Sequence, residues 1–244
     1  MLLVADFTAR GIGNFQSPPG TCSNPSGCYV LSGTITGEDA TRVNTVVNDL
    51  VGRKLSTPMI WLDSPGGSVD AAILIGRNLR RARAIAAIGE KGNCLSACVF
   101  VLAGATQRVV GGIVGIHRPY DAGSAIKTFD ETQRDYTRLA RDAKVFLAEM
   151  NLPEQLYEAM VRIPPEEMRR LEEHELATFG LNKVDPVYED YRDSQVAKQF
   201  GVSKQVYLQR KALSKTKCDM VLQQSGSDIS AYTACDDRVM RTGR

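Results

Sequence analysis

Between residues 28 and 116, short apolar runs alternate with stretches whose apolar residues recur every three or four positions. The runs are Cys28–Ile35, Pro58–Leu62, Ala84–Ile88, Arg108–Val110 and Ile113–Ile116, lengths that suit strands. One periodic stretch starts at Thr36 or Gly37 and reads as a helix to about Val51, with Ala40, Val43, Val47 and Leu50 on one face. A second runs from Val69 to Arg81, with Val69, Ile73, Gly76 and Leu79 aligned. Asn93 is expected to cap an apolar helix from about Leu95 to Ala105. Strands alternating with helices argue for βαβ units and a mostly parallel sheet. The strands lack clean polar alternation, as in a sheet covered on both faces.

The pattern changes after His117. Pro119 to Lys127 is a polar loop. Thr128 to Met150 predicts a helix through Tyr136, Leu139, Ala143, Phe146 and Met150. Shorter helices are expected at about Pro153–Val161 and Glu172–Phe179, and Asn182 to Tyr188 returns towards the sheet. Ser194 to Leu213 reads as one helix. Residues 1–27 look irregular, with turn signals at Pro18-Pro19-Gly20 and Asn24-Pro25-Ser26-Gly27. The expected organisation is therefore an irregular segment (1–27), an α/β domain (28–190) and a helical, basic C-terminal extension (191–244).

Composition adds little to this and excludes several classes. Of 244 residues, 43% are hydrophobic and 24% charged, a globular balance with no disordered or fibrous bias. No apolar stretch approaches the roughly 20 residues of a bilayer span. The net charge of +2 implies no nucleic acid or other polyanionic partner. Locally, Lys198, Lys204, Arg210, Lys211, Lys215 and Lys217 lie in a segment without acidic residues. This reads as a solvated basic face, with contact to an acidic partner or lipid surface as the alternative.

The six cysteines fall into close pairs, Cys22/Cys28, Cys94/Cys98 and Cys218/Cys235. None has zinc-site spacing, and with two histidines in the chain no metal is expected. The pairing suits at least one disulfide and a periplasmic or secreted protein, with reduced thiols in the cytoplasm as the alternative. Met1 to Ala5 is apolar but stops at Asp6, short of a secretory signal's apolar stretch of roughly 7–15 residues.

Three segments carry candidate chemistry. Asp63-Ser64-Pro65-Gly66-Gly67-Ser68 joins a strand to a helix, where glycines let backbone N–H groups approach a ligand. Ser96, in Cys94-Leu95-Ser96-Ala97-Cys98, stands near a helix start that favours a nucleophile, although taken alone the segment reads better as an ordinary cap or a buried small residue. His117 ends an apolar strand, where active sites of α/β sheets lie; a structural histidine fits there too. His174, inside Glu172-Glu173-His174-Glu175, reads as exposed.

Together these are a nucleophile, a base and backbone donors. Here the chain resembles the Clp protease proteolytic subunit, within the Clp/crotonase superfamily. Leu62-Asp63-Ser64-Pro65-Gly66-Gly67-Ser68-Val69 resembles that family's oxyanion turn, and Gly92-Asn93-Cys94-Leu95-Ser96-Ala97-Cys98 its nucleophile segment. Gly115-Ile116-His117-Arg118-Pro119 resembles its histidine segment, and Glu175 to Leu181 followed by Asp185 is a weaker echo. The cysteines flanking Ser96 resemble those of a branch of the family expected to be periplasmic.

The resemblance implies a Clp/crotonase-like βαβ spiral and a serine peptidase-like acyl hydrolase acting on peptide or protein, without cofactor, as a homo-oligomer. It implies Ser96 as nucleophile, His117 as general base, and the N–H groups of Gly67 and Ala97 as the oxyanion hole. The family's triad aspartate falls on Met168 here, so Glu167, one residue away, is the expected substitute. Two rival readings remain: a non-catalytic oligomeric binding module of the same fold, and an acyl-CoA enzyme of crotonase type. The cysteines beside Ser96 read as two buried small hydrophobes, or else as a disulfide bracketing the nucleophile.

Overall fold

The computed structural model describes residues 28–52, 57–120 and 128–244. The irregular segment 1–27, and most of the polar loop expected at 119–127, lie outside the described residues. The chain divides at Asp185/Pro186 into two compact units.

The first unit begins with β1 (Cys28–Ile35), α1 (Gly37–Gly52), β2 (Met59–Gly67), α2 (Val69–Arg81) and β3 (Ile85–Ile88). It continues with β4 (Asn93–Leu95), α3 (Cys98–Gly104), β5 (Gln107–Val110) and β6 (Ile113–Ile116). Then come α4 (Phe129–Glu149), α5 (Glu154–Val161), β7 (Arg169–Arg170) and α6 (Glu173–Thr178). The strand order is β5-β3-β2-β4-β6-β7, with β1 on the other edge of β2. Every pairing between these strands is parallel except β6 with β7.

The sheet curls because β2 serves two neighbours on one edge. Met59, Ile60 and Trp61 pair with β3, whereas Ser64 pairs with Cys94 of β4. On the other edge β1 follows β2 as far as Gly67, with a register shift between Ser32 and Thr34. The sequence expected a turn from Asp63 to Ser68; instead the strand continues through Gly67. The glycines lie inside the strand because a Cβ at Gly67 would stand 2.4 Å from Ile35 O, a contact only glycine permits.

Helix α1 buries Ala40, Val43, Val47 and Leu50, the face its spacing predicts. Helix α2 starts where Ser68 Oγ accepts the Ala71 N–H, and buries Val69, Ile73, Gly76 and Leu79. Each fully buried Ile or Leu contributes roughly 1.5–3 kcal/mol relative to exposure. Helices α2 and α3 meet at glycines, since a Cβ on Gly104 would stand 2.2 Å from Gly76 Cα. In α4, Thr128 and Glu131 form a capping box, and Leu139, Ala143 and Phe146 are buried with Met150, while Tyr136 remains 39% exposed.

A buried polar cluster closes the first unit. Arg108 donates to the carbonyls of Ala103 and Gly180, at 2.7 and 2.8 Å. Asp185 pairs with Arg80 at 2.9 Å and accepts from Asn151 Nδ2 at 3.0 Å. Burial, aided by the charge of Arg80 and opposed by that of Asp185, lowers the Arg108 pKa to about 10.

The second unit holds α7 (Pro186–Gln199), α8 (Lys204–Gln224) and α9 (Ile229–Thr242). Two expectations are corrected here. Tyr188 belongs to α7, although Val184 does bridge to Gln107 of the sheet. The single helix read over 194–213 is parts of two, separated at Gly201, whose φ of +67° no helix accommodates. The tail is helical as expected: it forms α9, capped by Asp228 and joined to α8 by the Cys218–Cys235 disulfide.

Half of the basic run is also occupied within this unit. Arg210 donates to the carbonyls of Met240 and Arg241 at the end of α9, at 2.8 and 2.9 Å. Lys204 pairs with Asp190, and Lys211 with Glu189 and Asp193. Burial lowers the Lys211 pKa, but the hydrogen bonds its ammonium donates to those carboxylates, with their charge, outweigh it, so the net shift is upward. Lys198, Lys215 and Lys217 are exposed. Among the described residues no helix is long and apolar enough to cross a membrane.

Candidate active site

The candidate residues lie at the carboxyl ends of β2, β4 and β6, which are adjacent and parallel. In open α/β sheets this is where ligands bind.

The segment around Ser96 is not the helix the sequence suggests. Asn93, Cys94 and Leu95 form β4, pairing with Ile113, Val114 and Gly115 of β6. Asp63 Oδ1 accepts the Asn93 N–H at 3.0 Å, so Asn93 opens a strand instead of capping a helix. Ser96 then takes a positive φ of +55°, and α3 begins only at Cys98. That left-handed residue is what separates strand from helix. It costs roughly 1–2 kcal/mol for a residue with a Cβ. The Ser96 N–H donates to Gly115 O at 2.9 Å, which fixes the turn against β6.

Cys94 and Cys98 are disulfide-bonded across this turn, with Cα atoms 5.1 Å apart. The reading of two buried small hydrophobes is therefore corrected: both sulfurs are buried, and they are joined. They approach because Cys94 lies on a strand and the chain folds back sharply at Ser96. Cys28 is disulfide-bonded as well, and Cys22 lies outside the described residues.

The glycine end of β2 comes directly against Ser96. A Cβ on Gly66 would stand 2.7 Å from Ser96 Cβ and 3.1 Å from Ala97 N. Gly66 and Gly67 have φ of +105° and +142°. Ser64, 1% exposed, holds them: its hydroxyl donates to Gly33 O at 2.6 Å and accepts the Gly66 N–H at 3.1 Å. Sequence reasoning missed this role, because a serine inside a glycine turn gives no sign that its hydroxyl points inward. The Ala97 N–H meets no acceptor among the described residues, and the residue is 1% exposed.

His117 lies two residues beyond Gly115 and is 7% exposed. Its Nδ1 is 2.9 Å from Arg118 O, and its ring centroid is 5.6 Å from that of Tyr120. No hydrogen bond joins it to Ser96 among the described residues, a common condition in sites without substrate. Glu167 is exposed; its N–H donates to Pro164 O and its carboxylate does not bond His117. Met168 is also 40% exposed, with its sulfur against Gly115: a Cβ there would be 2.8 Å from Met168 Sδ. Arg169 and Arg170 then pair with Ile116 and Gly115 as β7. His174 is exposed, as expected. Among the described residues no group of three or more His, Cys, Asp or Glu could hold a metal.

A solved structure shares this fold. A mutant of ClpP1 from Listeria monocytogenes superposes with a TM-score of 0.51 at 18% identity, covering 65% of this chain and 90% of that one. The fold is ClpP-like. A mutant of the 1510-N membrane-bound stomatin-specific protease gives a TM-score of 0.49 at 18% identity, covering 68% of this chain and 84% of that one. No family model and no curated protein matches the sequence. The fold agrees with what the sequence resemblance implied, and Ser96 and His117 both lie in the first unit.

Proposed function

We propose that the α/β unit is a serine peptidase-type acyl hydrolase. The observation that carries this is the strained turn at Ser96: a serine held at positive φ between the glycine turn of β2 and the histidine end of β6. A left-handed residue with a hydroxyl is costly, and such strain gathers at functional sites.

In this reading the His117 imidazole takes the proton of Ser96 Oγ as the oxygen attacks the substrate carbonyl carbon. Negative charge on the carbonyl oxygen is met by the N–H groups of Ala97 and Gly67, each worth roughly 2.7–4 kcal/mol in comparable sites. The imidazolium returns its proton to the leaving amine or alcohol. Water, deprotonated by the same imidazole, then hydrolyses the acyl-enzyme. The substrate class is peptide or protein and the assembly a homo-oligomer, both by analogy with the Clp protease resemblance. The disulfides at Cys94–Cys98 and Cys218–Cys235 support an oxidising compartment, periplasmic or secreted.

Labelling with a fluorophosphonate probe, read by peptide mass spectrometry, tests the proposal. The expected result is an adduct on Ser96 that His117→Ala abolishes. A second reading, a binding module that keeps the fold without turnover, is favoured by Met168, an apolar residue where the family resemblance expects an aspartate. Absence of any adduct on oxidised wild-type protein would favour that module. An acyl-CoA enzyme of crotonase type has no observation of its own in its favour.

A further inference from the structure

A neutral histidine can act as a general base only through a ring nitrogen that lacks a proton. Which nitrogen that is depends on the partner of the other. His117 Nδ1 faces Arg118 O at 2.9 Å. A carbonyl oxygen can only accept, so this hydrogen bond requires the proton on Nδ1 and leaves the lone pair on Nε2. This is the tautomer that a triad carboxylate selects in serine hydrolases.

The carbonyl is itself held in place. The Arg118 N–H donates to Ile163 O at 2.9 Å, and its guanidinium Nε donates to Val161 O, also at 2.9 Å. Arg118 therefore has two attachments to the end of α5 and the turn after it. The carboxylate candidate, Glu167, is exposed, and the thioether of Met168 lies against Gly115.

We propose that the Arg118 backbone carbonyl takes the place of the third triad carboxylate, and that the Arg118 side chain is a positioning residue holding that carbonyl against His117 Nδ1. The inference rests on the hydrolase reading for its catalytic meaning. Its chemical content is narrower. A carbonyl fixes the tautomer and the ring as a carboxylate does, but carries no charge to stabilise the imidazolium. Hydrogen bonds to charged acceptors are about twice as strong as neutral ones. The site is thus expected to be slow, with its base correctly oriented.

The test is nitrogen NMR of the full oxidised chain labelled with ¹⁵N-histidine, in alkaline buffer, together with fluorophosphonate labelling rates. There are two histidines, and His174→Gln assigns them. In wild type, His117 is expected to show a protonated Nδ1 and an unprotonated Nε2. Arg118→Ala should shift the ring towards the Nε2–H tautomer and slow labelling about five- to tenfold, the worth of one neutral hydrogen bond. Arg118→Lys, whose ammonium can still donate to Val161 O, should restore part of both. A wild-type His117 protonated on Nε2 would overturn the inference without any variant having to fold. So would an unchanged tautomer in folded Arg118→Ala, or a Glu167→Gln variant that moves tautomer and rate together. The tautomer decides this inference and Ser96 labelling decides the hydrolase reading, so each can fail separately.

Discussion

At the end of β2 the chain passes through Gly66 and Gly67, at φ of +105° and +142°, with no side chain to strain. At the end of β4, a few ångströms away, it passes through Ser96 at +55°, with a Cβ and a hydroxyl. The first turn is shaped by close approach: against Ile35 on one side, against Ser96 on the other, with Ser64 hydrogen-bonded beneath. The second carries a side chain in a conformation that disfavours one, and a disulfide spans it. The difference follows from what each must offer. A turn that presents backbone N–H groups works best without a Cβ. A turn that presents a hydroxyl must keep its Cβ and accept the strain, so its constraint comes from cross-links.

The largest expected effect tests whether the two turns are matched. Gly66→Ala would place a Cβ 2.7 Å from that of Ser96, and Ser96 labelling should fall by about 10² or more, as when an oxyanion donor is displaced. An unchanged labelling rate in the folded variant would break the comparison.

Next come the disulfides. Loop-length arguments give about 3 kcal/mol for Cys218–Cys235, separated by 17 positions, and about 2 kcal/mol for Cys94–Cys98, separated by 4. Denaturant melts of the paired Cys→Ala variants should follow that order. Labelling should follow the opposite one, with a several-fold loss only when Cys94 and Cys98 are replaced. A loss on replacing Cys218 and Cys235 instead would separate the Cys94–Cys98 cross-link from the reactivity of Ser96.

Ser64→Ala would leave the Gly66 N–H and the Gly33 carbonyl without their shared hydroxyl. The expected loss is about 1–3 kcal/mol in the same melts, with slower labelling. The smallest effect has the opposite sign. Ser96→Gly should stabilise the fold by about 0.5–1 kcal/mol, since glycine accepts positive φ without penalty, while Ser96→Ala should not.

Much of the α/β unit is legible because its helices carry their own boundaries. Ser68 caps α2 and the apolar face ends at Arg81; Thr128 with Glu131 caps α4. The turn at Ser96 is legible in its residues and not in its shape. Leu95 to Ala105 is apolar enough to read as one helix, and a three-residue strand followed by a single left-handed serine leaves no periodicity to detect. The two-residue β7 is hidden for the same reason. In the second unit Gly201 breaks a helical pattern that a lone glycine does not always break. The partner of His117 Nδ1 is a backbone carbonyl, which every residue possesses, so no side chain advertises it.

Asp185 has a consequence for where the α/β unit can be cut. It is the last residue before the second unit, fully buried, and the acidic partner of Arg80 beside Arg108. The unit thus ends in its own counter-ion. A chain terminated just after Asp185 carries that counter-ion with it. One terminated a few residues earlier would strand two guanidiniums beside the core without it, a loss of about 3–5 kcal/mol typical of a broken buried pair. The boundary for excising the unit is marked by a buried charge directly before the first residue of α7.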